Sequence, residues 1–122
     1  MKEAQFDTSI LVDALNGVEA AQTELKRVDR RWISRLTWLE ILSGCAPEAA
    51  QRTEAFLDYF SISELSDEVA RRAAAIRTQQ PRMKLADAIV WASAQVSGRI
   101  LVTRNTSDFP AAMPGIRVPY KL

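Results

Sequence analysis

The chain has 122 residues, 48% of them hydrophobic, with 16 Lys and Arg against 15 Asp and Glu, which suits one domain with a real core spanning residues 1–122 and is too little for two. The near balance of charge gives no global field that would mark a nucleic-acid binder, so any such contact must be local. With no histidine and a single cysteine, Cys45, the chain excludes an internal disulfide, a zinc site of His and Cys ligands, and a metal-free ribonuclease that pairs a histidine acid with a histidine base.

An apolar opening ends at Phe6 as a first strand and runs into a short helix around Ile10, Leu11 and Val12, which Asn16-Gly17 terminates. Asp7 therefore falls at the strand's exit. Residues 18–28 read as a charged helix, Trp32-Ile33-Ser34 as a second strand, and 36–45 as an apolar helix. Pro47 suits the first turn of the next helix, 47–59, where its missing N–H is harmless. A short strand at 60–62 follows. Ser66 with Asp67 and Glu68 supplies the N-cap and acidic first turn of a helix that runs to Gln80.

Pro81 ends that helix. Residues 84–97 are apolar nearly all round, the mark of a buried helix, and Gly98 is placed as its C-cap. Ile100-Leu101-Val102-Thr103 reads as a buried strand and Ile116-Arg117-Val118 as a last edge strand. Strands alternating with helices imply a three-layer α/β/α sandwich around a short, mostly parallel sheet. Ligands of such sheets bind beyond the carboxyl ends of strands where the strand order switches, and both Asp7 and the stretch from Asn105 to Asp108 fall at that edge. Glu3 and Asp7 interrupt any signal-peptide run, and no apolar stretch approaches the roughly 18 residues of a membrane span. The expectation is a cytoplasmic protein with no membrane partner.

Four carboxylates sit inside apolar runs: Asp7, Glu40, Asp87 and Asp108. Their neighbours draw them toward the core, and a charged acid there needs a distant basic partner, a raised pKa or a bound cation. A cation explains all four at once. Mg²⁺ or Mn²⁺ takes oxygen ligands, activates water near neutral pH and neutralises charge on a phosphate in the transition state, so phosphodiester hydrolysis fits the set. Each acid also has a plainer reading: Asp7 as the N-cap of the first helix, Glu40 as a solvent-facing edge residue, and Asp108 as a cap for the turn before Phe109-Pro110. Asp87 is the hardest to dismiss, because its helix has little polar face.

Asp7-Thr8-Ser9, the run Thr37-Trp38-Leu39-Glu40-Ile41-Leu42-Ser43-Gly44, Asp87-Ala88-Ile89-Val90-Trp91-Ala92, and Thr103-Arg104-Asn105-Thr106-Ser107-Asp108-Phe109 together resemble the motifs of PIN domains. The resemblance is to the small VapC-type toxin ribonucleases of bacterial toxin–antitoxin pairs, and it covers essentially the whole chain. It implies a metal-dependent endoribonuclease with Asp7, Glu40, Asp87 and Asp108 as its acids, an RNA substrate, a cognate antitoxin whose tail occupies the groove, and a homodimer. Two positions depart from the pattern: Ser9 stands where Asn is usual, and Trp91 where many members carry a small residue. In some relatives the fourth acid lies at the position of Asn105 and in others at that of Asp108, so both stand as metal-site candidates. Thr8, Ser9 and Thr103 are expected to orient the acids, and Arg104, beside Asn105, to meet the scissile phosphate.

Other residues have ordinary readings. Asp13, Asp58 and Asp67 are expected to be solvated or helix-terminal, Cys45 to be a small helix residue, and Trp32, Trp38 and Trp91 to be core or interface residues. Phe56, Tyr59 and Phe60 suggest an exposed apolar patch suited to a twofold dimer. Two other classes compete with a nuclease. A receiver-like Mg²⁺-binding domain expects a lysine at a late strand end, where Thr103-Arg104 stands, and a catalytically silent module of the same fold would not need to keep four candidate acids.

Overall fold

Five short strands, all parallel, form one sheet in a computed structural model that describes residues 2–122. In chain order the elements are β1 (Glu3–Phe6), α1 (Thr8–Leu15), α2 (Glu19–Lys26), β2 (Arg30–Ser34) and α3 (Arg35–Gly44), then a 3-10 turn (Pro47–Ala49) leading into α4 (Ala50–Leu57). They continue with β3 (Ser61–Ser63), α5 (Asp67–Gln79), α6 (Leu85–Ser97), β4 (Leu101–Val102) and β5 (Ile116–Arg117). The sheet order is β3-β2-β1-β4-β5. Successive strands move one way from β1 to β3, and the chain then returns to β1's other side, so the switch in order lies between β1 and β4. A receiver-like order of 2-1-3-4-5 is not what this sheet has.

Side chains alternate across the strands and feed two cores, one on each face. Ala4, Phe6, Ile33 and Val102 join Ile10, Leu11 and Leu57 on one side. Leu101 turns to the other, where Val69 and Ile76 of α5, Val90 and Trp91 of α6, and Phe109 pack together. Gln5 also faces α6, fully buried, with its Nε2 donating to the Val90 carbonyl at 3.2 Å. The three expected layers are therefore present, and the sheet is parallel throughout.

The local signals act as expected at several ends. Ser66 accepts from Val69 N at 3.2 Å and caps α5. Gly98, at φ 67°, closes α6 in the left-handed conformation that costs glycine little. The expected 47–59 helix differs, because Pro47 opens a separate 3-10 turn before α4 begins. Phe60 is a second difference: it is buried edge-on against Phe6 and Phe56, so of the expected apolar patch Tyr59 alone is well exposed. Among the described residues, no helix is long and apolar enough to cross a membrane.

Candidate active site at the sheet's switch point

The exits of β1 and β4 lie side by side, with Phe6 paired to Val102, and each strand hands its next residue to the same place. Asp7 follows β1 directly. Its extended backbone makes it the N-cap of α1, and its buried carboxylate accepts at Oδ2 from the Ser9 hydroxyl at 2.7 Å, the Thr103 hydroxyl at 2.8 Å and, weakly, the Ser9 amide at 3.4 Å. The N-cap reading is thus correct as local structure, and it does not compete with a role in a site. Three donors fix one oxygen of Asp7, and among the described residues none donates to the other.

Thr103 also receives the Asn105 amide on its hydroxyl at 2.9 Å, which starts a tight turn after β4. Within that turn the Asn105 side-chain amide donates to Asp108 Oδ2 at 2.7 Å, and the Asp108 amide approaches Asn105 Oδ1 at 3.4 Å. Asn105 therefore holds Asp108. Phe109 anchors the turn from below, fully buried and edge-on to Trp91 with ring centroids 6.3 Å apart. Trp91, a departure from the resemblance, is the packing partner that this anchor requires.

Asp87 comes to the same place from the other face, on the first turn of α6. Its Oδ2 is buried and has no hydrogen-bond partner. Burial pushes its carboxyl up to about 7, helped by Asp108, with which it can share a proton, and by the negative charges of Asp108 and Asp7; Lys84 pulls the other way. Two ionised carboxylates repel each other, so a proton or a cation would relieve the strain of placing Asp87 beside Asp108.

Glu40 is the outlier. It is exposed on α3 instead of drawn into the core as its apolar neighbours suggested, and it joins the group through Thr8, whose hydroxyl donates to Oε1 at 2.9 Å. Because a carboxylate only accepts, the single Thr8 proton goes to Glu40, and Thr37, 3.0 Å away, supplies its own proton to Thr8. Ser34 stands behind Thr37 at 3.3 Å. On its open side Glu40 borders a cleft of about 420 Å³ between α1, α3 and α4, where Cys45 and Arg52 also lie.

Arg104 is not turned toward the acids. Its guanidinium grips Asp13 with both forks, Nε to Oδ2 at 2.5 Å and an Nη to Oδ1 at 2.8 Å, and Tyr120 adds its hydroxyl to Asp13 Oδ2 at 2.7 Å. This corrects the reading of Asp13 as solvated: it is 4% exposed, and the Arg104 hydrogen bonds, joined by Tyr120, hold its carboxyl below the usual range against the opposing effect of burial. The signal was present in the helix period, since Asp13 shares the buried stripe of α1 with Ile10 and Ala14. The same logic places buried Glu24 against Arg27 and Arg117.

Among the described residues, no three Asp, Glu, His or Cys side chains close around a point tightly enough to wrap a metal ion by themselves. The donor set nevertheless fits a hard cation: oxygen ligands, a free Asp7 oxygen, and a buried Asp87 oxygen with nothing to bond.

The PIN domain family pattern matches residues 5–112. The chain belongs to the PIN domain family. Among solved structures, a toxin–antitoxin complex from Klebsiella pneumoniae is 40% identical, superposes with a TM-score of 0.90, and is covered over 98% of this chain and 99% of that one. A DNA-bound VapBC from Salmonella typhimurium (22% identity, TM-score 0.78, coverage 99% and 98%) and VapBC2 from Rickettsia felis bound to a promoter DNA fragment (20%, 0.77, 98% and 98%) share the PIN fold. No curated protein matches the sequence.

Proposed function

We propose that this PIN domain is the toxin of a toxin–antitoxin pair, and that it acts as a divalent-metal-dependent endoribonuclease. The 40% identity to the toxin–antitoxin complex from Klebsiella pneumoniae over nearly the full length supports the first part. The second rests on Asp87, a carboxylate pushed up to about 7 beside Asp108 and Asp7 with a buried oxygen left unbonded. A site that keeps such a group without a neutralising partner is built for a cation.

Asp7, Asp87 and Asp108 would hold Mg²⁺ or Mn²⁺, which supplies activation of water and neutralisation of phosphate charge when bound. The residues themselves divide the remaining work. Ser9 and Thr103 tether one oxygen of Asp7 and leave the other free, and Asn105 aims Asp108. Of the two candidates for the fourth site residue, Asp108 would contact the metal and Asn105 would position it, a division that the hydrogen bond between them supports. Glu40, held by Thr8 at the rim, would accept a proton from an incoming water. Lys84 at the head of α6 is close enough to influence Asp87 and offers positive charge to an RNA phosphate.

The test is incubation of end-labelled structured RNA with the purified chain in Mn²⁺ or Mg²⁺ and in EDTA. Attack by water on phosphorus leaves 5′-phosphate and 3′-hydroxyl ends, and cutting stops in EDTA. Undiminished cutting in EDTA, or 2′,3′-cyclic phosphate products, rejects the mechanism. Expression in a bacterial host, alone and with a candidate antitoxin, tests the toxin role, with growth arrest and its relief as the expected outcomes.

A further inference from the structure

We propose that the C-terminal segment from Ile116 to Tyr120 is a latch that positions the turn after β4, acting through Asp13 and Arg104 on the hydroxyl of Ser9 and so on Asp7. The family pattern ends at residue 112, so Arg117 and Tyr120 lie beyond the part of the chain it describes.

The route is continuous. Tyr120 donates to Asp13 at 2.7 Å, Asp13 holds the Arg104 guanidinium through both oxygens, the Arg104 amide donates to Ser9 Oγ at 3.1 Å, and Ser9 Oγ donates to Asp7 Oδ2 at 2.7 Å. Tyr120 gives its one proton to Asp13, and Ser9 Oγ accepts one and gives one, so no proton is used twice. A second strand of the same latch runs through the backbone, where the Thr103 amide donates to the Arg117 carbonyl at 3.0 Å. Thr103 is the other hydroxyl that fixes Asp7.

A two-residue edge strand such as β5 has too few ladder bonds to hold its own register. Side chains hold it instead. Arg117 forks onto buried Glu24 of α2 at 2.6 and 3.2 Å, and Tyr120 packs against the core beneath α1 while its hydroxyl reaches Asp13. Both anchors lie on helices of one layer, and both pull on the two residues, Thr103 and Arg104, that leave β4 toward the acids. Arg104, Asp13 and Tyr120 are therefore positioning residues, and the Nε and one Nη of the Arg104 guanidinium are committed to the latch.

The test uses Tyr120→Phe, which keeps the packed ring and removes one hydroxyl, together with Asp13→Asn in the full chain. Two readouts are needed, because the latch rests on the nuclease reading only where metal is the probe. In metal-free protein, exchange of the Arg104 amide is expected to rise about tenfold in Tyr120→Phe, the loss of roughly one hydrogen bond's worth of protection. In titrations with Mn²⁺ alone, affinity is expected to fall about tenfold, the lower end of what partners behind a ligand contribute, with kcat reduced and the KM for RNA unchanged. Failure of the parent to bind Mn²⁺ would overturn the nuclease reading and leave the exchange result to decide the latch. Unchanged Arg104 exchange in Tyr120→Phe overturns the latch. So does an Asp13→Asn variant that keeps its Mn²⁺ affinity and lowers the KM for RNA, since that result makes Arg104 a phosphate contact released by the substitution.

Discussion

Replacing Asp87 with Asn removes a charge that the fold does not neutralise and keeps the shape of the side chain. Asp87 is raised from 3.8 to about 7 in the folded chain, chiefly by burial and by Asp108. The folded state therefore binds a proton more tightly than the unfolded state does. Between pH 4 and 7 the native form keeps that proton and the unfolded form has lost it, so stability falls as pH rises through this window and is flat above it. At about 1.4 kcal/mol per unit, three units amount to about 4 kcal/mol; solvent reaching the half-buried carboxyl halves this to about 2 kcal/mol. For a domain of this size that is about 8 °C in melting temperature. In EDTA, Asp87→Asn should melt above the parent at pH 7.5, with the difference shrinking as pH falls toward 4. Scanning calorimetry of both proteins across pH 4 to 8 gives the answer. A variant that melts below the parent at pH 7.5, or a gap independent of pH, would show that Asp87 is a structural acid with partners the structure does not contain.

Other consequences are simpler. Mn²⁺ at a hundredfold excess over its dissociation constant should raise the parent's stability by about 2.7 kcal/mol, and should raise Asp87→Asn far less; equal shifts in thermal melts would contradict the site. Phe109→Ala empties a fully buried position against Trp91 and should cost about 3–4 kcal/mol in urea unfolding, where a loss under 1 kcal/mol would mean the turn after β4 is not anchored there. Glu24→Ala leaves Arg117 and Arg27 without their shared carboxylate and should cost about 2 kcal/mol, less than a fully buried pair because both arginines reach solvent. Burial raises the Glu24 carboxyl, but the hydrogen bonds and positive charges of Arg117 and Arg27 together outweigh it and hold Glu24 below its usual range, so its contribution is present at neutral pH and lost as pH falls below about 4; Glu24→Gln should flatten that acid limb.

Much of the fold was legible because its punctuation is chemical. Ser66, Gly98, Pro81 and Asn16 stand where helix ends need them, and the apolar run at Leu101-Val102 could only be a buried strand. The acids were legible for a different reason: Asp87 on the apolar helix α6 has no local use, and Asp7, though it caps α1, falls at the exit of β1 where such sheets bind ligands, so their placement pointed to a site. What the sequence hid is pairing at long range. Asp13 and Arg104 are 91 positions apart, and nothing near either residue names the other. A reading from neighbours thus left Asp13 to solvent and missed its pairing with Arg104, although the stripe shared by Ile10, Asp13 and Ala14 already marked the aspartate as buried and in need of a cation. Glu40 misled in the opposite sense. Its run is apolar, yet the helix period turns Glu40 and Leu39 outward while Thr37 and Ile41 go in.

Titration of Mn²⁺ into metal-free protein, in buffers of different ionisation enthalpy, tests the acid pocket as a cation site most directly, because a cation that replaces the proton on Asp87 must expel it. With the carboxyl at about 7, binding should release about half a proton at pH 7, nearly one at pH 6 and almost none at pH 8.5. Asp87→Asn should lose both the tight binding and the proton release. Tight Mn²⁺ binding with no proton released at any of these pH values, unaltered in Asp87→Asn, would place the cation elsewhere and contradict the account.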